Sequence, residues 1–169
     1  METHSNHSIK RTATIFLQII IVLVGIIVLA ALLLEPQFEG RNTNSSLFQT
    51  YFTDPFLAYV YLASIPFFVA LYQAFKVLGY AGQNKVLSQA AVNALRKIKY
   101  CAFITAGAIV AADAYLMIAA GSNGEDAAGA VMLGIIATFA SVVIGTAAAV
   151  FERILRSAVD IKSENDLTV

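Results

Sequence analysis

"SQAAVNALRKIKYCAFITAGAIVAADAYLMIAA", residues 88–120, decides the fold. A basic cluster, Arg96, Lys97 and Lys99, runs into the apolar stretch Tyr100–Ala120, whose one charge is Asp113. A helix needs about 20 apolar residues to cross the hydrocarbon core of a bilayer, and this stretch meets that length. Three others do so too. Ala13–Leu34 is interrupted only by Gln18, Pro55–Gly79 is rich in Tyr and Phe and carries Pro66, and Gly129–Phe151 is uncharged and rich in small residues. The 169-residue chain is 59% hydrophobic and 13% charged, with a mean hydropathy of +0.74. Soluble domains average about 45–50% apolar and about 25% charged, so a soluble core is excluded. The first stretch is too long for the apolar region of a signal peptide and reads as a retained span. The sequence therefore predicts an all-α integral membrane protein, an antiparallel four-helix bundle forming one domain over 1–169, with a helical loop at 80–99 and a tail at 152–169.

Charge sets the direction. Lys10 and Arg11 precede the first span, while Arg41 is outnumbered by Glu35, Glu39 and Asp54 after it. Lys76, Lys85, Arg96, Lys97 and Lys99 join spans two and three, and "GSNGEDAA", residues 121–128, carries only Glu125 and Asp126. Arg153, Arg156 and Lys162 lie in the tail. Basic residues collect on the cytoplasmic side of bacterial spans, and all but Arg41 fall on one side here, so both termini are expected in the cytoplasm and the protein in the bacterial plasma membrane. "NSSLFQTYFTDPF", residues 44–56, reads as an interfacial anchor on the outer face.

Two elements extend inward. Ser88 is a good N-cap, and Leu87, Ala91, Leu95, Ile98 and Ala102 recur at helical spacing, so this helix should run unbroken into the third span. Its cations are expected at lipid headgroups. "FERILRSAVDIK" should continue the last span, with Phe151, Ile154, Leu155, Ala158 and Ile161 as an apolar stripe and Glu152 paired with Arg156 one turn on. That stripe either lies on the membrane, packs on the 88–100 helix, or docks a partner. The candidate docking residues are Leu95, Arg96, Ile154, Leu155, Ala158, Ile161, Asn165, Asp166 and Leu167.

"NKVLSQAAVNALRKIKY" before a span and "ILRSAVDIKSENDLTV" after the last one resemble the bacterial four-span membrane family known as domain of unknown function 2975. The ending "ENDLTV", Glu164–Val169, is its most specific piece, and the likeness is best from Lys76 onward. Ser88, Leu95, Arg96 and Ile98 fill the family's pattern, while Lys99 stands where a Gly is common. The resemblance implies no established activity. Many members are encoded beside a small helix-turn-helix transcription regulator, which implies such a protein as a cytoplasmic partner.

Asp113 lies seven residues inside the outer end of its span. It shares a stripe with Ala106 and Ala102, so it should face other helices. No Lys or Arg lies at that depth in any span. Candidate donors are Tyr59, Tyr61, Ser64, Tyr115 and Thr138, with Gln18 too near the inner face. Asp113 is then either an interhelical hydrogen-bonding pin or, with those residues, a small-ligand or cation site. Gly134, Thr138, Ser141 and Gly145 give the fourth span a small face, which also suits a homo-oligomer. His4 and His7 lack a third ligand, Cys101 stands alone, and no phosphate loop, nucleophile triad or zinc spacing occurs. The expectation is a noncatalytic regulatory protein without metal or cofactor and with no direct nucleic-acid contact.

Overall fold

The computed structural model describes residues 2–38, 55–123 and 127–166, with side chains over 12–34, 55–121 and 127–165. Residues 44–54 of the interfacial anchor, the acids of the 124–126 turn, the side chains of His4, His7 and Asp166, and Leu167 lie outside those limits. Four helices make up the described chain: α1 (Glu2–Phe38), α2 (Pro55–Gly82), α3 (Gln89–Asn123) and α4 (Ala128–Asp166). Each is long and apolar enough to cross a bilayer, so this is a multi-pass membrane protein.

Local chemistry sets the helix ends. α2 runs through Pro66 and stops in a Schellman motif. The Lys85 N–H donates to the Tyr80 carbonyl at 2.8 Å, and the Asn84 N–H to the Ala81 carbonyl at 3.2 Å. Asn84 takes the left-handed φ of 55° that this cap requires. α3 begins where the Ala91 N–H donates to Ser88 Oγ at 3.3 Å, the N-cap expected from sequence.

The helices pack in chain order, α1 on α2, α2 on α3 and α3 on α4, each antiparallel to the last. Among the described residues, extensive packing is confined to these sequential pairs. Among the described residues the four spans of this antiparallel bundle thus pack chiefly on their neighbours in the chain. Gln18 Nε2 donates to the Phe75 carbonyl at 3.2 Å and Tyr61 OH to the Leu32 carbonyl at 3.1 Å, which ties α1 to α2 at two levels. Tyr59 OH donates to the Ala108 carbonyl at 2.7 Å across α2 and α3.

Burial is concentrated where the basic residues are. Ala91, Val92, Ala94, Ile98, Ala102, Ala106 and Ala148 form the core, joined by Gln73, Thr105 and Glu152. Small side chains let the α3 and α4 backbones approach closely there. Elsewhere the apolar faces are open, as lipid-facing surfaces are: Ile118 is 75% and Phe139 71% exposed. Lengths matter too. At 1.5 Å per residue α3 reaches about 52 Å and α4 about 58 Å, against about 30 Å of hydrocarbon. Taking the spans as 100–120 and 129–151, the surplus of both falls at the same, basic end.

Candidate functional site

The α3–α4 seam carries two carboxylates. At its basic end Glu152, only 7% exposed, receives a hydrogen bond from Arg96 Nε and another from Lys99 Nζ, both at 2.7 Å. Arg96 and Lys99 are three apart on α3, hence neighbours on one helix face, and they close on the acid from the facing helix like a clamp. Lys99 Nζ also stands 4.7 Å from the centroid of the Tyr100 ring. Glu152 lies just beyond the last span. The hydrogen bonds from Lys99 and then Arg96 hold its carboxyl below the usual carboxylate range. The same pairing raises Arg96, chiefly through its hydrogen bond to Glu152.

This cluster corrects two expectations from sequence. Glu152 turns across the seam to α3 and does not pair along its own helix with Arg156, because a buried acid gains more from two charge-assisted hydrogen bonds than from one exposed cation. Arg96 and Lys99 turn toward it, leaving Lys97 exposed on the helix between them. The signal was available: two bases at i and i+3 facing a lone acid at the start of the opposite extension.

The docking stripe divides. Phe151, Ile154 and Ile161 are exposed, Ile154 by 60% and Ile161 by 63%. Leu95, Leu155 and Ala158 are half-buried, Arg96 belongs to the clamp, and Asn165 is exposed. The face of α4 packed on α3 runs instead through Gly145, Ala148 and Glu152.

Farther along the seam, Asp113 faces α4 with its carboxylate directly over Gly134, filling the space that a Cβ at 134 would need. Beside it an apolar groove of about 500 Å³ opens between the helices, lined by Val110, Met117, Ile135 and Phe139 with Asp113 and Thr138. The Thr138 hydroxyl is buried without a hydrogen-bond partner. Among the described residues the Asp113 carboxylate has neither an ion-pair nor a hydrogen-bond partner. The small face of α4 is occupied within the chain, since Gly134 meets Asp113 and Gly145 meets the Phe103 ring.

The six residues grouped from sequence around Asp113 therefore separate. Asp113 and Thr138 share the α3–α4 groove. Tyr59 and Tyr115 line a second hollow of about 280 Å³ on the α2–α3 side, where Tyr115 stacks on Phe56 at 5.2 Å. Tyr61 reaches across to α1, and Ser64 Oγ donates to the Tyr61 carbonyl of its own helix at 2.7 Å. No group of three or more His, Cys, Asp or Glu suited to a metal ion occurs among the described residues.

Residues 42–169 match the family model described as protein of unknown function (DUF2975). The chain is 44% identical over 168 residues to the "Uncharacterized membrane protein YoaS" of Bacillus subtilis (strain 168), covering 95% of this chain and 99% of that protein. No solved structure matches it.

Proposed function

We propose that this chain, which belongs to the DUF2975 family of proteins of unknown function, is a noncatalytic regulatory membrane protein that docks a soluble partner on its inner face. In this reading it sits in the bacterial cytoplasmic membrane with both termini inside, as its basic residues favour. The observation that carries the proposal is the α4 extension. From Glu152 to Asp166 it continues for about 22 Å past the span. Clamping by Arg96 and Lys99 fixes its rotation, so Ile154 and Ile161 stay uncovered. Exposed apolar side chains on a held helix suit helix-in-groove recognition by a protein. The family's genetic neighbourhood favours a small helix-turn-helix regulator as that partner, and regulation would then act by holding it at the membrane, away from nucleic acid that the chain itself does not touch.

The test is co-purification from membranes with a helix-turn-helix regulator from the chain's own gene neighbourhood. Replacing Ile154 and Ile161 together by Ser should abolish recovery while membrane insertion is retained. Equal recovery by the wild type and this variant, or none by either, overturns the reading.

A further inference from the structure

The clamp sets two cations against one acid, so it keeps a positive surplus and unused donors. Arg96 gives only Nε to Glu152. Its two terminal amino groups make no hydrogen bond among the described residues, and 39% of its side-chain surface is exposed. Lys99 spends one proton on the acid and stays 22% exposed. On α2, α3 and α4 no second acid stands close. α2 has no Asp or Glu, α3 has none before Asp113, and the next on α4, Asp160, lies about 12 Å beyond Glu152. Lys97 and Arg153, the clamp's exposed neighbours in sequence, add charge of the same sign.

On the membrane side of these donors the surface is apolar. Arg96, Lys99 and Phe103 follow one another at spacings of three and four, so they share one face of α3. The Phe103 ring lies against Gly145 of α4, about 6 Å deeper than Lys99, and remains 43% exposed. Tyr100 and Phe151, next in sequence to Lys99 and Glu152, are exposed as well. Unused cationic donors therefore stand directly above an open aromatic surface where the spans end. We propose that this edge of the α3–α4 seam binds an anionic diacyl phospholipid, its phosphate on the Arg96 Nη groups and an acyl chain along Phe103.

Charge and depth select that occupant together. A guanidinium with both Nη groups free meets two phosphate oxygens at once, which an ammonium does not. A soluble phosphate or an acidic protein segment satisfies the cations and makes no use of the aromatic surface. A zwitterionic lipid covers that surface but cancels its own phosphate and leaves the surplus. An anionic phospholipid does both, and its headgroup lies at the level of the clamp. Ile154 and Ile161 take no part, so the site stands apart from the docking surface.

The experiment is native mass spectrometry of the full-length protein released from nanodiscs made of equal parts phosphatidylglycerol and phosphatidylcholine. Retained phosphatidylglycerol should exceed phosphatidylcholine by at least about fivefold. Arg96→Lys keeps the charge and loses the fork. It should bring the ratio within about twofold of unity while melting like the wild type in phosphatidylcholine alone. Lys97→Gln and Arg156→Gln each remove a charge and should preserve the preference. Diffuse attraction to the whole basic end predicts the reverse order. Should Arg96→Lys fail to insert, the two Gln variants decide alone, since a loss graded with net charge overturns the site. Equal retention of the two lipids by the wild type, or a preference unchanged in Arg96→Lys, overturns it as well. So does a rise in melting temperature with inorganic phosphate or polyglutamate equal to that with phosphatidylglycerol, which would assign the donors to a soluble anion or an acidic protein.

Discussion

Asp113 and Glu152 lie on one helix seam, and the fold treats them oppositely. The Asp113 level is about 20 Å along α3 from Lys99, a partner of Glu152. At the Glu152 level both acidic oxygens are claimed, the acid is only 7% exposed, and the backbones approach over Ala102, Ala106 and Ala148. At the Asp113 level the carboxylate rests on a glycine, a hydroxyl beside it has no partner, and a groove stands open to lipid. A carboxylate that is paired contributes to holding helices together. One that is not paired contributes little to the fold. The seam therefore has a fastened end and an open end, and substitutions can test that division.

Glu152→Ala should have the largest effect. It removes the acid shared by two cations and leaves Arg96 and Lys99 close together without it. The fold loses two charge-assisted hydrogen bonds across the seam, so a fall in melting temperature of several degrees is expected for the purified protein. The pH dependence has a definite sign. The folded pKa of Glu152 is depressed, so its contribution is complete above the unfolded value of about 4.3 and is lost as pH falls through the folded value. Melting temperature should be insensitive to this group near neutrality and drop at acid pH, with the drop reduced in Glu152→Gln. If Glu152→Ala melts like the wild type, the fastened end is not at the clamp.

Gly134→Ala comes next, at roughly 1–3 kcal/mol, because the new methyl overlaps the Asp113 carboxylate and forces it from its rotamer or the helices apart. The contact is specific, so the double variant Asp113→Ala, Gly134→Ala should recover most of the loss. Additive losses in that cycle would show that the carboxylate does not occupy the space above Gly134.

Much of this architecture was legible in the sequence, and the reason is physical. Span length is set by bilayer thickness, so four apolar runs gave four helices, and Ser88 and the Leu87–Ala102 spacing gave the unbroken start of α3. Rotation of helices about their axes was not legible. The stripe Phe151–Ile161 left open whether it lies on the membrane, packs on the 88–100 helix or docks a partner, because at a membrane apolarity does not mark the buried side. Small residues do, and the packed face runs through Gly145, Ala148 and the polar Glu152. The same gap hid the clamp and merged Tyr61, Ser64 and Tyr115 with Asp113. Asp113 itself was placed on the correct helix face by its register with Ala102 and Ala106, both of which are buried.

Tyr59→Phe probes a lateral tie outside the seam and should cost less. It deletes one hydrogen bond, from the phenol to the Ala108 carbonyl, whose oxygen also serves the α3 ladder. Interhelical hydrogen bonds in bilayers average about 0.6 kcal/mol, so a shift of a degree or two is expected. A loss approaching that of Glu152→Ala would mean that α2 and α3, and not α3 and α4, carry the molecule's main fastening.

Asp113→Asn should have the smallest effect on stability, within about 0.5 kcal/mol of the wild type or slightly stabilising. The carboxylate gives up no bond within the chain, and the amide of equal size still fits above Gly134. The near-silence of this substitution matters as much as the severity of Glu152→Ala, because it separates two explanations of an acid at membrane depth. If Asp113 were a pin between helices, removing its charge would loosen the seam and lower the melting temperature as clearly as an alteration at the clamp. A stable Asp113→Asn protein leaves an acid kept at a cost to insertion and without return to the fold, which removes the pin as its explanation.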